Sequence, residues 1–228
     1  MEEKPKAPHT LNVNGIGEEA FMNYFTKSLL LFLTGITAVY AQTGAYVSPK
    51  VGTEYHFTSS ASGEGINKVL STKSDSYEVE TALKEQKPFK GQRLLGMLSM
   101  PESTGISSQE SEKVAKILPL RVGNKVGFKS FGTTGSAQWN RDHQWEVLSE
   151  YETKIAAKAE KIYVLRLKAE TPGFYKYEGT CDFSLTYAVC LRSAGEQFVA
   201  NRPALTGPLS VNIRKIRLDN VDIAIPPR

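Results

Sequence analysis

Cysteine and histidine are scarce: a chain of 228 residues carries two of the first and three of the second. So few cysteines exclude a disulfide-dense miniprotein. His9 precedes the apolar segment described below, which leaves His56 and His143. Neither has a partner at i, i+4 or in a Cys-x-x-Cys pair, so no metal site and no cofactor is expected. A dominant charge is missing too, because 28 basic groups face 24 acidic ones. The net +4 is too mild to signal nucleic acid as a partner. Long apolar runs are absent but for one, which excludes a multi-span membrane protein. No Gly-x-Ser-x-Gly elbow is present. Gly132-Thr-Thr-Gly135 lacks the Gly-Lys-Ser/Thr of a phosphate loop and reads as a hairpin tip. What remains, 40% hydrophobic and 10% aromatic, is ordinary for a folded domain.

The one apolar run begins after an internal methionine. Met22-Asn-Tyr-Phe-Thr-Lys27 is a short segment with a single cation, and Ser28 to Val39 follows as about a dozen mostly apolar residues. Val39-x-Ala41 then offers small residues for cleavage before Gln42, so the order is that of a secretory signal peptide. The run is shorter than the roughly 20 residues a membrane-spanning helix needs. Residue 42 is Gln rather than Cys, so the lipoprotein form of the signal is absent. Glu2, Glu3, Glu18 and Glu19 oppose export, which makes residues 1–21 a non-native extension and Met22 the start. A buried apolar helix and an uncleaved anchor, the latter touching a membrane only through the signal, are the alternatives. The expectation is cleavage and a periplasmic or secreted protein.

Residues 42–228 read as one β-rich domain. Tyr55-His-Phe57, Lys68-Val-Leu-Ser71, Tyr77 to Leu83, Trp145 to Leu148, Lys161 to Leu167, Phe183 to Val189 and Leu209 to Arg214 alternate or are β-branched. Gly, Ser, Asn and Asp separate them. Ser107-Ser-Gln-Glu110 resembles a capping box, and Val114, Ile117 and Leu118 recur at helical spacing, which predicts one short helix. The expected fold is therefore mainly β, a curved antiparallel sheet or open barrel with one helix. The chain also repeats: Val51-Gly-x-x-x-x-Phe57 matches Val122-Gly-x-x-x-x-Phe128, and Val69-Leu-Ser71 matches Val147-Leu-Ser149. This would make residues 45–100 and 117–228 two similar meanders sharing one core.

Leu118-Pro-Leu-Arg-Val-Gly123 opens the second meander, and Trp139 and Trp145-Glu-Val-Leu148 follow it. On these residues the chain resembles a broad group of exported bacterial proteins of unknown function with a Pro-Leu-x-Val-Gly β-meander domain. A turn that usually reads Val-x-Ala-Gly-x-Phe in the group is Ile155-Ala-Ala-Lys-Ala-Glu160 here. The Trp-Tyr-x-Pro strand end is replaced by Leu185-Thr-Tyr-Ala188. The resemblance implies a curved periplasmic sheet and brings no activity. Open barrels of this kind can hold apolar ligands in the concave face.

Cys181 and Cys190 pull the reading two ways. An oxidising compartment favours a bridge. Alternation from Phe183 to Val189 favours one continuous strand, which would hold the thiols roughly 30 Å apart. A bridge is expected on the compartment. Asp142-His143, between Trp139 and Trp145, pairs a carboxylate with an imidazole in what reads as a loop or strand edge. It is the one candidate base of a hydrolase, without an evident nucleophile. Arg214, Lys215 and Arg217 form a basic patch that reads as a solvated strand face, with lipid phosphate or an acidic partner as the alternative. The leading functional expectation is a non-enzymatic envelope protein that binds an apolar ligand or an envelope protein partner. A purely structural or interaction module and a hydrolase are the other readings.

Overall fold

Alternating sequence becomes alternating burial along most of the chain. In the first strand Tyr55 and Phe57 are buried while Glu54, His56 and Thr58 are half-buried. Later, Tyr163, Leu165, Leu167, Ala169 and Thr171 point inward at every second position. Such a period of two suits an antiparallel sheet with one wet face. The computed structural model describes residues 46–84, 86–134 and 137–227. The segment 22–41 expected to be a signal, the expected Ala41–Gln42 cleavage junction and the expected extension 1–21 lie outside the described residues.

Thirteen strands follow one another: β1 (Glu54–Ser59), β2 (Gly63–Thr72), β3 (Ser76–Leu83), β4 (Phe89–Leu94), β5 (Leu98–Pro101), β6 (Thr104–Gly105), β7 (Lys125–Thr134), β8 (Ala137–Ile155), β9 (Lys158–Thr171), β10 (Tyr175–Ser184), β11 (Val189–Val199), β12 (Gly207–Leu218) and β13 (Val221–Ala224). In space the order is β5-β4-β3-β2-β1-β12-β11-β10-β9-β8-β7-β6, with β13 added on β12. Each strand therefore lies beside its neighbours in sequence, and β1 meets β12 to join the two runs. The two ends of the path, β5 and β6, are consecutive in the chain, so the antiparallel sheet nearly closes into a barrel.

Among the described residues the one α-helix, α1 (Ser108–Ala115), sits between β6 and β7. The Ser107 hydroxyl accepts the Glu110 N–H at 3.3 Å. Glu110 does not complete the box. Its carboxylate takes the Lys113 ammonium at 2.5 Å and the Lys129 N–H at 2.7 Å, tying the helix to β7. Val114 and the following Ile117 are buried in one of the two apolar clusters.

The segments matched in sequence occupy matching places. The Gly52 N–H bonds the Val69 carbonyl and the Val69 N–H bonds Thr53. Gly123, Val147 and Asn124 repeat this pattern, with all four bonds at 2.8–2.9 Å. A bulge follows at Val69/Ser71 in one and at Val147/Ser149 in the other. The Glu54–Lys68 pairing of β1 and β2 has the reversed counterpart Lys125–Glu146 in β7 and β8, closed by an ion pair at 3.0 Å.

Two turns depart from the expectation. Ile155 and Lys158 are paired across a two-residue turn in which Ala156 and Ala157 take φ of 50° and 64°. The hairpin thus forms without the glycine usual in the resembling group, at about 1–2 kcal/mol per left-handed residue. More consequential, Phe183 to Val189 is not one strand. β10 ends at Ser184, residues 185–188 turn with Ala188 at φ 50°, and β11 begins at Val189. The reversal brings Cys181 and Cys190 to a Cα separation of 5.5 Å, and they are joined as a disulfide. Leu185 and Tyr187 alternate because each packs on a different core, Leu185 on the cluster around Phe183 and Tyr187 on the cluster around Ile162.

That turn is held from several directions. The Tyr55 hydroxyl donates to the Tyr187 carbonyl at 2.7 Å, and the Tyr77 hydroxyl to the Ala188 carbonyl at 2.9 Å. Ser184 Oγ accepts the Tyr187 N–H and donates to buried Glu160. The β4–β5 turn presses on it from the other side: Gly96 has φ 70°, and a Cβ there would lie 1.9 Å from the Ala188 oxygen. Gly96→Ala should therefore destabilise the protein by about 2–4 kcal/mol, from left-handed strain together with backbone overlap. Equilibrium urea denaturation measures this, and an unchanged midpoint would contradict the contact.

Candidate binding cavity

Inside the sheet lies a cavity of about 350 Å³, bounded by β1, β2, β4, β5, β8, β9, β10, β11 and β12. Its volume falls within the roughly 300–1,000 Å³ range of small-molecule sites. Phe57, Trp145, Leu167, Val211 and Ile213 supply apolar wall, and Gly96 and Met97 bring the β4–β5 turn to its edge. Part of the wall comes from the two-tryptophan segment, expected as a loop or strand edge. It lies instead within β8, the longest strand at 19 residues. Arg141, His143 and Trp145 consequently share the cavity face, while Asp142 and Gln144 face away.

No Asp or Glu is found among the described residues lining the cavity, whereas three cations are: Arg93, Arg141 and Lys168. The Lys168 ammonium is paired with Glu178 at 2.8 Å. Arg141 lies over the rings of Tyr175 and Trp139, at 3.9 and 4.7 Å from their centroids, and its Nε donates to Thr171 Oγ1 at 3.4 Å. Such stacking satisfies a guanidinium by ring quadrupole rather than by counter-charge. Arg93 differs. It faces inward from β4 opposite Tyr77, protein atoms crowd its guanidinium, and among the described residues it has no hydrogen-bond or ion-pair partner. Burial pulls its pKa below the ordinary arginine value, opposed by the Tyr77 and Tyr55 hydroxyls.

The expected catalytic pair is not assembled. Neighbouring residues of a strand face opposite ways, so Asp142 reaches Lys129 on the outer surface at 3.1 Å while His143 is buried at 3% exposure. His143 stacks on Phe128 at 4.6 Å between centroids, and its Nε2 shares a hydrogen bond with Ser130 Oγ at 2.8 Å. Its Nδ1 is buried without a partner. Burial first, and Arg141 next, push its pKa down from 6.5 to about 4, with Asp142 acting the other way.

His56 lies on β1 beside Glu54 at 3.4 Å, and among the described residues no three His, Cys, Asp or Glu side chains converge. The bridged Cys181 and Cys190 sit in the wall, the first buried and the second touching the cavity. Gly132 to Thr134 belong to β7 rather than to a hairpin tip, and Gly135 lies outside the described residues. A Cβ on Gly132 would overlap the Trp139 ring at 2.3 Å, so glycine there makes room for the indole. The basic patch on β12 is largely neutralised. Asp222 takes Lys215 at 2.9 Å and Arg217 at 2.8 Å, which holds its carboxyl well below the usual range, and Arg214 donates to Thr58.

No protein-family model and no curated protein matches the chain. Among solved structures it is similar to the hypothetical lipoprotein YmcC from Escherichia coli (K12). The identity is 6%, the TM-score 0.43, and the alignment covers 77% of this chain and 85% of that one.

Arg93 and Arg141 were missed in the sequence. Arg141 carried a signal, since it keeps step with Trp139, His143 and Trp145 at every second position. Arg93 carried none, because Phe89-Lys-Gly-Gln-Arg-Leu94 has little apolar alternation.

His143 makes the fold sensitive to acid. The unfolded chain takes up a proton near pH 6.5 and the folded one near 4, so stability is complete above 6.5 and falls as the pH drops towards 4. Between pH 7 and 4.5 this one group accounts for roughly 2–3 kcal/mol. His143→Gln, which cannot titrate but can still bond Ser130, should lose that much less over the interval in urea titrations. Equal losses would remove His143 from the acid response.

Proposed function

We propose that the protein is an exported, non-enzymatic envelope protein that binds an apolar ligand in the lumen of its barrel. The observation that carries this reading is the cavity itself: the sheet nearly closes, yet its interior is not filled by its own side chains. Protein interiors are ordinarily packed to crystal-like density. Space of this size, walled by Phe57, Trp145, Leu167, Val211 and Ile213, is the default place for a small molecule. Export rests on the Met22–Gln42 signal pattern and on the compartment that a Cys181–Cys190 bridge favours. A binding rather than catalytic role is supported by the outward turn of Asp142, which leaves His143 without an orienting carboxylate. A base held near pKa 4 is also a weak proton acceptor at neutral pH.

Titration of the protein with the uncharged dye N-phenyl-1-naphthylamine tests the reading. Saturable binding with blue-shifted emission is expected. Ala169, which faces the cavity opposite His143, offers a place to fill it. Ala169→Phe should weaken dye binding by about tenfold or more while still melting cooperatively. Absence of saturable binding to the unaltered protein, or unchanged affinity in a folded Ala169→Phe variant, would overturn it.

A further inference from the structure

We infer that the ligand of the lumen is an anionic amphiphile, an acyl chain ending in a carboxylate or phosphate, and that Arg93 receives its head. The inference rests on the binding role proposed above and specifies its chemistry.

Of the three cations at the cavity wall, Arg93 and Arg141 point inward, whereas Lys168, between inward-facing Leu167 and Ala169, turns outward. Lys168 is paired with Glu178, and Arg141 is sandwiched with Tyr175 and Trp139, its Nε on Thr171. Arg93 alone of the three, half-buried at the wall, has neither a counter-charge nor an aromatic face among the described residues. A guanidinium offers five N–H donors in a planar fork and stays charged, so it cannot escape the cost of burial by losing a proton. The groups around it do not absorb those donors. The Tyr55 and Tyr77 hydroxyls donate to the Tyr187 and Ala188 carbonyls and Asn67 Oδ1 accepts from Thr81 at 2.7 Å, and none of these oxygens accepts a hydrogen bond from Arg93. With no carboxylate on the cavity wall among the described residues, the missing anion must arrive with the ligand.

Carboxylate and phosphate both match the guanidinium fork by two parallel hydrogen bonds. The remaining wall dictates the rest of the molecule, because Phe57, Leu167, Val211 and Ile213 offer an alkyl chain dispersion contacts and no hydrogen bonds. A neutral alcohol would leave the charge unanswered, and an ammonium head would add to it. Burial lowers the Arg93 pKa, in keeping with a cation set at the cavity wall with no carboxylate beside it.

Displacement of N-phenyl-1-naphthylamine at neutral pH by four ligands of one chain length tests the inference. These are dodecanoate, dodecyl phosphate, dodecanol and dodecylammonium. At least one of the two anions should displace the dye about tenfold more tightly than dodecanol, with dodecylammonium weakest, and the better anion identifies the head. Arg93→Met should abolish the preference for the anion while retaining dodecanol, and Arg93→Lys should keep part of it. If dodecanol equals both anions on the unaltered protein, the inference falls and lumen binding stands. The same result follows if a folded Arg93→Met variant keeps the full preference. If neither the dye nor any of the four binds, the binding role falls and the inference with it. The comparison of heads on the unaltered protein does not depend on any variant folding.

Discussion

The pairing of β1 with β12 determines whether this chain has an inside. All other neighbours in the sheet are also neighbours in sequence, so their contacts form across short connections, except β6 and β7, which are joined through α1. β1 and β12 instead meet across roughly 150 residues, from Glu54 opposite Arg217 to Ser59 opposite Val211. A pairing so distant brings loop-closure entropy that the local hairpins do not face, and slow folding is its usual companion. Buried Tyr55, Phe57, Ile213 and Ile216 repay it along the seam, and Arg217 adds an ion pair to Glu54 at 3.7 Å. Phe57 comes from one side of the seam and Val211 and Ile213 from the other, and all three line the cavity. Were the seam open, the lumen would be a concave face and Arg93 would have water for company.

Closure alone would leave a collapsible interior, and the inward turn at residues 185–188 prevents the collapse. It separates two apolar clusters, one around Phe183 and Trp145 and the other around Tyr55 and Ile162, and touches both. The disulfide at its base, the two tyrosine hydroxyls and the Gly96 contact fix its position. Backbone carbonyls at 187 and 188 are satisfied by side chains rather than by a ladder, which is how a turn can enter an interior at all. Val189 and Cys190, directly after the turn, and Gly96, packed on it, border the cavity.

Legibility in the sequence divided along the same line. Strands whose inward positions pack on a core announced themselves: Tyr55 and Phe57, Tyr77 and Val79, Leu165 and Leu167 alternate as the period of two requires. Two strands that border the cavity did not, although β1 and β9 border it too, through Phe57 and Leu167. β4 turns Gly91 and Arg93 inward, and β11 carries Ser193 and Gly195 past the wall, so neither shows an apolar stripe. Nothing packs densely there, and the pattern that reports packing vanishes with it. The opposite error arose at Phe183 to Val189, where Leu185 and Tyr187 pack on different cores across a turn and the sequence imitates a strand. Val-Gly-x and Val-Leu-Ser, by contrast, were readable because one turn and one bulge recur with the same hydrogen bonds. Asp142-His143 was misleading for a plain geometric reason, since adjacency in a strand places two side chains on opposite faces.

The cavity's charges show why composition could not foretell the site. Lys168, Arg141 and Arg93 contribute equally to a net charge, yet one is a surface ion pair, one a stacked aromatic partner, and one a half-buried cation without a counter-charge among the described residues. A surface pair such as Lys168–Glu178 is worth little and is expected on any sheet. Stacked Arg141 buries its hydrocarbon and its guanidinium together and so strengthens the wall. Arg93 does neither, and stability alone would favour an apolar side chain of similar length, since replacing buried charge by packed hydrophobic groups is commonly neutral or stabilising. A residue that works against the fold, set where the fold leaves room, falls where local consistency and function part company. The cavity supplies the space and its described wall residues include no carboxylate, which is why the proposed anionic head is assigned to Arg93 on β4.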